Sequence, residues 1–317
     1  MSTMQALQWD GKQLAVHEVP VPVPAKGEAL VRVTRAGICN TDLEIIRGYY
    51  PFSGTLGHEF TGVVTEAEDS GLVGQRIVAD INHACGACAQ CLAGHPHHCQ
   101  HRTALGIKGR DGAFAEYLVT PVANLVAVPD QVTDAQAVFA EPLAAALEIQ
   151  EQVNFSTVAE TAVIGDGKLG LLIALSLARS GIQVTLVGHH CERAALPGFA
   201  GITYLDTKPD RQFPLVVEAT GSPDGFAEAV QLTAPRGTLV LKSTYKDALT
   251  FNAGPVVVNE LTLIGSRCGP MDRAMAMMAA GRIDPSVLVT ETFPLNEGVA
   301  AVARAGTQGT LKVLLSP

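Results

Sequence analysis

The chain has 317 residues, 47% of them hydrophobic and 17% charged, which excludes a disordered polymer and exceeds what one core usually holds, so two domains are expected. Its 22 basic and 31 acidic residues leave a net charge of −9, and aromatic residues make up 5%. An acidic chain repels phosphate backbones and few rings are present to stack on bases, so nucleic acid is excluded as the main partner.

Residues 1–12 are polar and show no apolar signal segment. The most apolar run, Leu169 to Ala178, lies between Lys168 and Arg179 and is ten residues long, against the roughly 20 that span a bilayer. A soluble, cytoplasmic protein with no membrane partner is expected. The seven cysteines stand at 39, 85, 88, 91, 99, 191 and 268, an odd number. In a reducing compartment clustered cysteines bind metal more often than they form disulfides.

From the N-terminus to about Asp130 the chain reads as strands and loops, with segments such as Ala29–Arg35 and Thr61–Thr65 between Gly and Pro breaks. Two short pieces here hold metal-ligand chemistry: Gly37-Ile-Cys39-Asn-Thr41-Asp42 and Gly57-His58-Glu59. Alone, such a Cys is usually a core residue and a His-Glu pair a surface one. Together they offer one sulfur, one nitrogen and one carboxylate oxygen, a set that suits catalytic zinc.

Next comes Cys85-x2-Cys88-x2-Cys91-x7-Cys99. Four thiolates at this spacing close a tetrahedral shell around Zn2+ and leave no open position, so a structural ion is expected. A redox pair or an iron–sulfur cluster is the alternative. His95, His97, His98 and His101 lie in or beside this lobe and read as solvated loop residues or substitute ligands. From Thr133 to about Gln150 a helix is predicted, with Pro142 as a break or restart. Within it Glu141 sits in VFAEPLAAAL, where a charged group among apolar ones needs a partner, either a metal or a hydrogen bond.

Apolar runs at 161–164, 183–187, 215–218, 238–241 and 261–264 alternate with helical segments and predict a parallel sheet with crossover helices. The first run leads into Gly165-x-Gly167-x-x-Gly170, with Lys168 and Leu169 inside it, then into a helix and a second strand. That context marks a dinucleotide site: glycines for the tight turn, the approach to a pyrophosphate and close packing, and a helix N-terminus facing the phosphates. The acid that reads the ribose 2′-OH of NAD at the end of the second strand is missing at 188 and 189. His189 and Arg193 stand nearby to face a 2′-phosphate, so NADP is expected to be accepted and slightly favoured. A Met- and Ala-rich helix at 271–280 and a short strand at 312–315 complete the chain, and the terminal piece is expected to return to the first domain.

GICNTD, GTLGHEFTGVV, the four-Cys lobe, AEPLAAAL and VIGDGKLG occur in one order across essentially the whole chain. Together they resemble the zinc-dependent medium-chain alcohol dehydrogenase family, and the Glu-Pro-Leu form resembles its polyol, glucose and threonine dehydrogenase branch. VVEATGSP, LVLKSTY and LTLIGSRCGP resemble strand ends of the coenzyme domain, which implies coenzyme roles for Thr220, Lys242, Ser243 and Arg267. The resemblance implies an α/β chain with a GroES-like β-rich catalytic domain of residues 1–145 and 267–317 around a Rossmann doubly wound parallel sheet of residues 146–266. It implies Cys39 and His58 as catalytic-zinc ligands, with Glu59 and Glu141 competing for the third place. Thr41 matches a proton-relay hydroxyl, and Asp42 matches the acid that orients the zinc-bound histidine. The implied activity is hydride transfer between a secondary alcohol and NAD(P). A polyol, sugar or hydroxy amino acid is favoured over a simple or aromatic alcohol. Each chain would hold one catalytic and one structural zinc in a homodimer or homotetramer. The chain departs from the family at Glu44, where a relay histidine often stands, and is shorter than most relatives. A non-catalytic NAD(P)-binding sensor with structural zinc alone is the rival reading.

Overall fold

Residues 28–37 and 59–67 are mostly buried and pair antiparallel, joining the two ligand-bearing segments at Gly37↔Glu59. In the computed structural model, which describes residues 2–244 and 248–317, they form the centre of a seven-stranded sheet. Its strands run in the order Leu125–Ala127, Arg76–Ala79, Glu59–Ala67, Glu28–Gly37, Lys312–Ser316, Val289–Pro294, with Tyr117–Pro121 also paired to Glu28–Gly37. The last strand of the chain therefore lies against the end of Glu28–Gly37, with Leu314 opposite Gly37. The chain divides into two compact units, Met1–Glu141 with Leu288–Pro317, and Pro142–Val287.

The second unit holds six strands: β1 (Glu160–Ile164), β2 (Gln183–Val187), β3 (Thr203–Leu205), β4 (Phe213–Glu218), β5 (Thr233–Leu241) and β6 (Thr262–Gly265). All five pairings are parallel, in the order β3-β2-β1-β4-β5-β6. This is the doubly wound order of a dinucleotide-binding sheet. The helix Lys168–Ala178 follows β1 and is buried from Gly170 to Leu177, which explains why its sequence is apolar all round. The sheet core gathers Ala162, Ile164, Phe213, Val216, Phe226 and Leu239.

Pro142 sits in the first turn of the helix Ala140–Gln152, where a missing N–H costs nothing, after the short helix Asp134–Ala137. The helix Met271–Ala279 was expected with the first domain but belongs to the second unit. Arg273 bonds Glu151 at 2.5 Å and Gln150 at 2.6 Å, and Arg179 and Arg282 donate to each other's carbonyls. Among the described residues no helix is long and apolar enough to cross a membrane.

Candidate active site and metal centres

Cys39, His58 and Glu59 converge in the first unit: one ligand atom from each lies within 4.8 Å of the others. Cys39 caps the helix Asn40–Ile46, and Asp42 in its first turn accepts the Cys39 N–H at 2.8 Å. Asp42 is fully buried, accepts the Gly57 N–H at 3.3 Å, and stands 3.3 Å from His58 Nδ1, short of hydrogen-bond alignment. One carboxylate thus ties both ligand-bearing segments together and faces one imidazole nitrogen, leaving Nε2 for a metal. Burial alone would depress the His58 imidazole, but the Asp42 and Cys39 charges outweigh it and hold its pKa well above the ordinary value. Thr41 lies beside this group, its Oγ1 3.7 Å from Cys39 Sγ.

A buried cation not singled out from sequence completes the site. Lys312, in the terminal strand, pairs with Glu59, each 1% exposed, and lies 5.5 Å over the Phe139 ring. Burial works against its charge, yet Glu59, Cys39 and Asp42 hold its pKa above the ordinary value. The available signal was a lysine inside the otherwise apolar KVLL. Gly37 is required here, because a Cβ would stand 2.7 Å from both Glu59 Oε2 and Val138 Cγ1. Glu141 is not one of the three converging groups. It is half-buried, and its carboxyl is pushed up to about 6, first by burial and then by Glu59 and Asp80 against the pull of His58 and Lys312. Glu44 forms an ion pair with Arg47 at 2.7 Å.

Cys85, Cys88, Cys91 and Cys99 form the second group, their sulfurs all within 4.8 Å of one another. Cys88 Sγ lies 3.5 Å from Cys91 Sγ and 3.8 Å from Cys99 Sγ. A regular tetrahedron with Zn–S of about 2.3 Å spaces its sulfurs about 3.8 Å apart, so this set fits zinc. Backbone N–H groups of Cys91 and Gln100 draw the Cys88 thiol down to about 6, which favours the ligating thiolate. His97 is engaged elsewhere, its Nε2 2.6 Å from Asp80 Oδ2.

In the second unit the glycines fit a dinucleotide. Gly165 has φ +103°, and a Cβ on Gly170 would stand 1.9 Å from the Gly165 carbonyl oxygen. Around Gly167, the N-cap of the helix, nothing lies within 4 Å of where a Cβ would be, so the backbone is open to a phosphate. Lys168 and Leu169 are half-buried beside it. Thr220 and Ser243 stand at the same carboxyl ends of the strands. Thr220 donates to Glu218 through N–H and Oγ1, both at 2.6 Å, and Ser243 Oγ accepts the Gly221 N–H at 2.8 Å. Arg267 is exposed, and Tyr245 of LVLKSTY lies outside the described residues.

Two expected coenzyme cations are turned inward instead. Lys242 is 8% exposed, and its Nζ donates to the Ala145 and Arg267 carbonyls and to Ser266 Oγ at 2.6, 2.9 and 3.1 Å. Arg193 is 6% exposed; its Nη1 donates to the Asp166 carbonyl at 2.5 Å and sits 3.3 Å from Asp166 Oδ1. Arg193 is thus paired with Asp166, whereas His189 is exposed.

Residues 25–130 match the alcohol dehydrogenase GroES-like domain. Similarity to zinc-type dehydrogenases extends beyond that region over the whole chain. It is 28% identical to the sorbitol dehydrogenase of Halalkalibacterium halodurans, covering 100% of this chain and 99% of that one. It is 29% identical to the starvation-sensing protein RspB of Escherichia coli K12 over 92% of each chain. A protein of Sinorhizobium meliloti 1021, described as a zinc-binding dehydrogenase bound to NADP, superposes with a TM-score of 0.91 at 28% identity over 100% of both chains.

Proposed function

We propose that this chain is a zinc-dependent dehydrogenase that transfers a hydride between a secondary alcohol and NAD(P), with a polyol, sugar or hydroxy amino acid as the favoured substrate. The observation that carries this reading is the convergence of Cys39, His58 and Glu59 on one buried point, with Asp42 behind the imidazole. These three would hold a catalytic zinc, with Glu59 rather than Glu141 in the third place. The four cysteines would hold a structural one. When bound, zinc supplies Lewis acidity toward a hydroxyl oxygen and NAD(P) supplies the hydride acceptor.

The chain's own residues do the rest. Asp42 faces the His58 ring and, through the Cys39 and Gly57 amides, holds the spacing of the two ligand segments. Lys312 pairs with Glu59 in a buried setting. The substrate carbon gives up a hydride and its hydroxyl a proton, leaving a ketone. Thr41 Oγ1, 3.7 Å from Cys39 Sγ, would take that proton and pass it toward solvent. The Gly165–Gly170 turn and its helix N-terminus bind the coenzyme pyrophosphate. Cytoplasmic location suits the thiolate ligands. A homodimer or homotetramer is the expected assembly; β6 is an edge strand with Leu263 36% exposed, a surface that pairing would cover.

Native mass spectrometry and a panel of alcohols with both coenzymes test the reading. The wild type should carry two zinc ions. Cys39→Ala should carry one and lose alcohol oxidation. A sensor, a role suggested by the name of one relative, predicts one zinc ion and no substrate-dependent NAD(P)H. One zinc in the wild type with full activity in Cys39→Ala would end the catalytic-zinc claim.

A further inference from the structure

The end of β2 carries Gly188 and His189, yet a carboxylate is present there. Asp166, the second residue of the Gly165–Gly170 turn, is 6% exposed and lies where a side chain at 188 would begin. A Cβ on Gly188 would stand 2.3 Å from Asp166 Cγ and 2.4 Å from Oδ2. An acid at position 188 and the present Asp166 therefore exclude each other, and the turn supplies the charge that the strand end lacks.

The carboxylate is held firmly. Oδ2 accepts the His189 and His190 N–H groups at 3.0 and 2.8 Å and the Tyr204 hydroxyl, from β3, at 2.5 Å. Oδ1 has the longer contacts, His190 Nδ1 at 3.2 Å and Arg193 Nη1 at 3.3 Å. Burial pushes the Asp166 pKa up, but the bonds from Tyr204 and His190 and the Arg193 charge outweigh it and hold it below the ordinary value. The group is an anion at neutral pH.

We infer that Asp166 selects the dinucleotide, accepting the unphosphorylated adenosine ribose of NAD and rejecting the 2′-phosphate of NADP. This rests on the coenzyme reading above. In doubly wound sheets the ribose 2′-OH is read at the end of the second strand, and Asp166 puts an acceptor there. A phosphate at that place meets a carboxylate, and like charges repel. The cation that would offset this, Arg193, already faces Asp166 from within. This inference runs opposite to the NADP preference expected from His189 and Arg193, and the binding test below decides between them.

The test is equilibrium binding of NADH and NADPH, followed by nicotinamide fluorescence, to the zinc-loaded wild type and to Asp166→Asn. The wild type should bind NADH at least about tenfold more tightly than NADPH, and Asp166→Asn should shift the affinity ratio toward NADPH by about tenfold. A merely structural role for Asp166 would weaken both coenzymes alike and leave the ratio unchanged, and that result overturns the inference. So does a wild type that binds NADPH as tightly as NADH, a measurement that needs no variant to fold. In that case the dehydrogenase reading stands, whereas a wild type that binds neither dinucleotide removes both.

Discussion

Replacing Lys312 by Met separates the charge of the buried pair from its packing. The Met side chain follows the lysine stem past Gly37 and Phe139 and omits the ammonium. Glu59 is then a carboxylate at 1% exposure without its cation. An exposed ion pair contributes about 0–1 kcal/mol, but stripping one partner from a buried pair costs about 3–5 kcal/mol, because the remaining charge is left without compensation. The larger figure applies here. The loss should appear in chelator-stripped protein as a fall of that size in the opening free energy of the Val31 and Val33 amides, read by hydrogen exchange. The double variant Glu59→Gln with Lys312→Met should recover at least half of it, since removing both charges removes the penalty. A cost below about 1 kcal/mol, or a double variant as unstable as the single one, would refute the reasoning. The pH dependence has a defined sign. The folded Lys312 pKa lies above the ordinary 10.5, so the pair's contribution is complete below that value and is lost as pH rises through the folded pKa. The gap between wild type and Lys312→Met should be constant from neutral pH to about 10 and close above it.

Cys91→Ser should release one zinc ion per chain and lower the thermal midpoint, because a structural metal contributes directly to folding; an unchanged midpoint would count against that role. Gly37→Ala should fold but lose at least about tenfold in kcat/KM, since its Cβ displaces Glu59 Oε2, and steady-state kinetics on a good substrate would show it. Asp166→Asn should be less stable than wild type at pH 6, with the difference fading as pH falls through the lowered Asp166 pKa; acid titration of urea midpoints measures it. Lys242→Met should destabilise the second unit by removing three donated hydrogen bonds while NADH affinity in the folded fraction holds, as calorimetry can establish.

What the sequence made legible is what steric necessity writes locally. Gly170 must be glycine because the Gly165 carbonyl stands 1.9 Å from its would-be Cβ, and that requirement shows as a spacing beside an apolar strand. The four cysteines cluster within 15 residues, so their geometry is also local. Lys312 was not legible because its partner lies 253 residues away, and only the return of the last strand against Glu28–Gly37 brings them together. The helix Met271–Ala279 shows the same limit, since Arg273 and Arg282 decide which unit holds it. The cations at the coenzyme end illustrate a different gap. Sequence gives a charge but not its direction. Loops at the carboxyl ends of parallel strands present carbonyls that need donors once buried. Lys242 and Arg193 answer that need, one at the Ala145 and Arg267 carbonyls and the other at the Asp166 carbonyl and carboxylate. A basic residue near a Gly-rich turn is therefore as well suited to tying the loops in place as to receiving a phosphate. Here burial decides for the first.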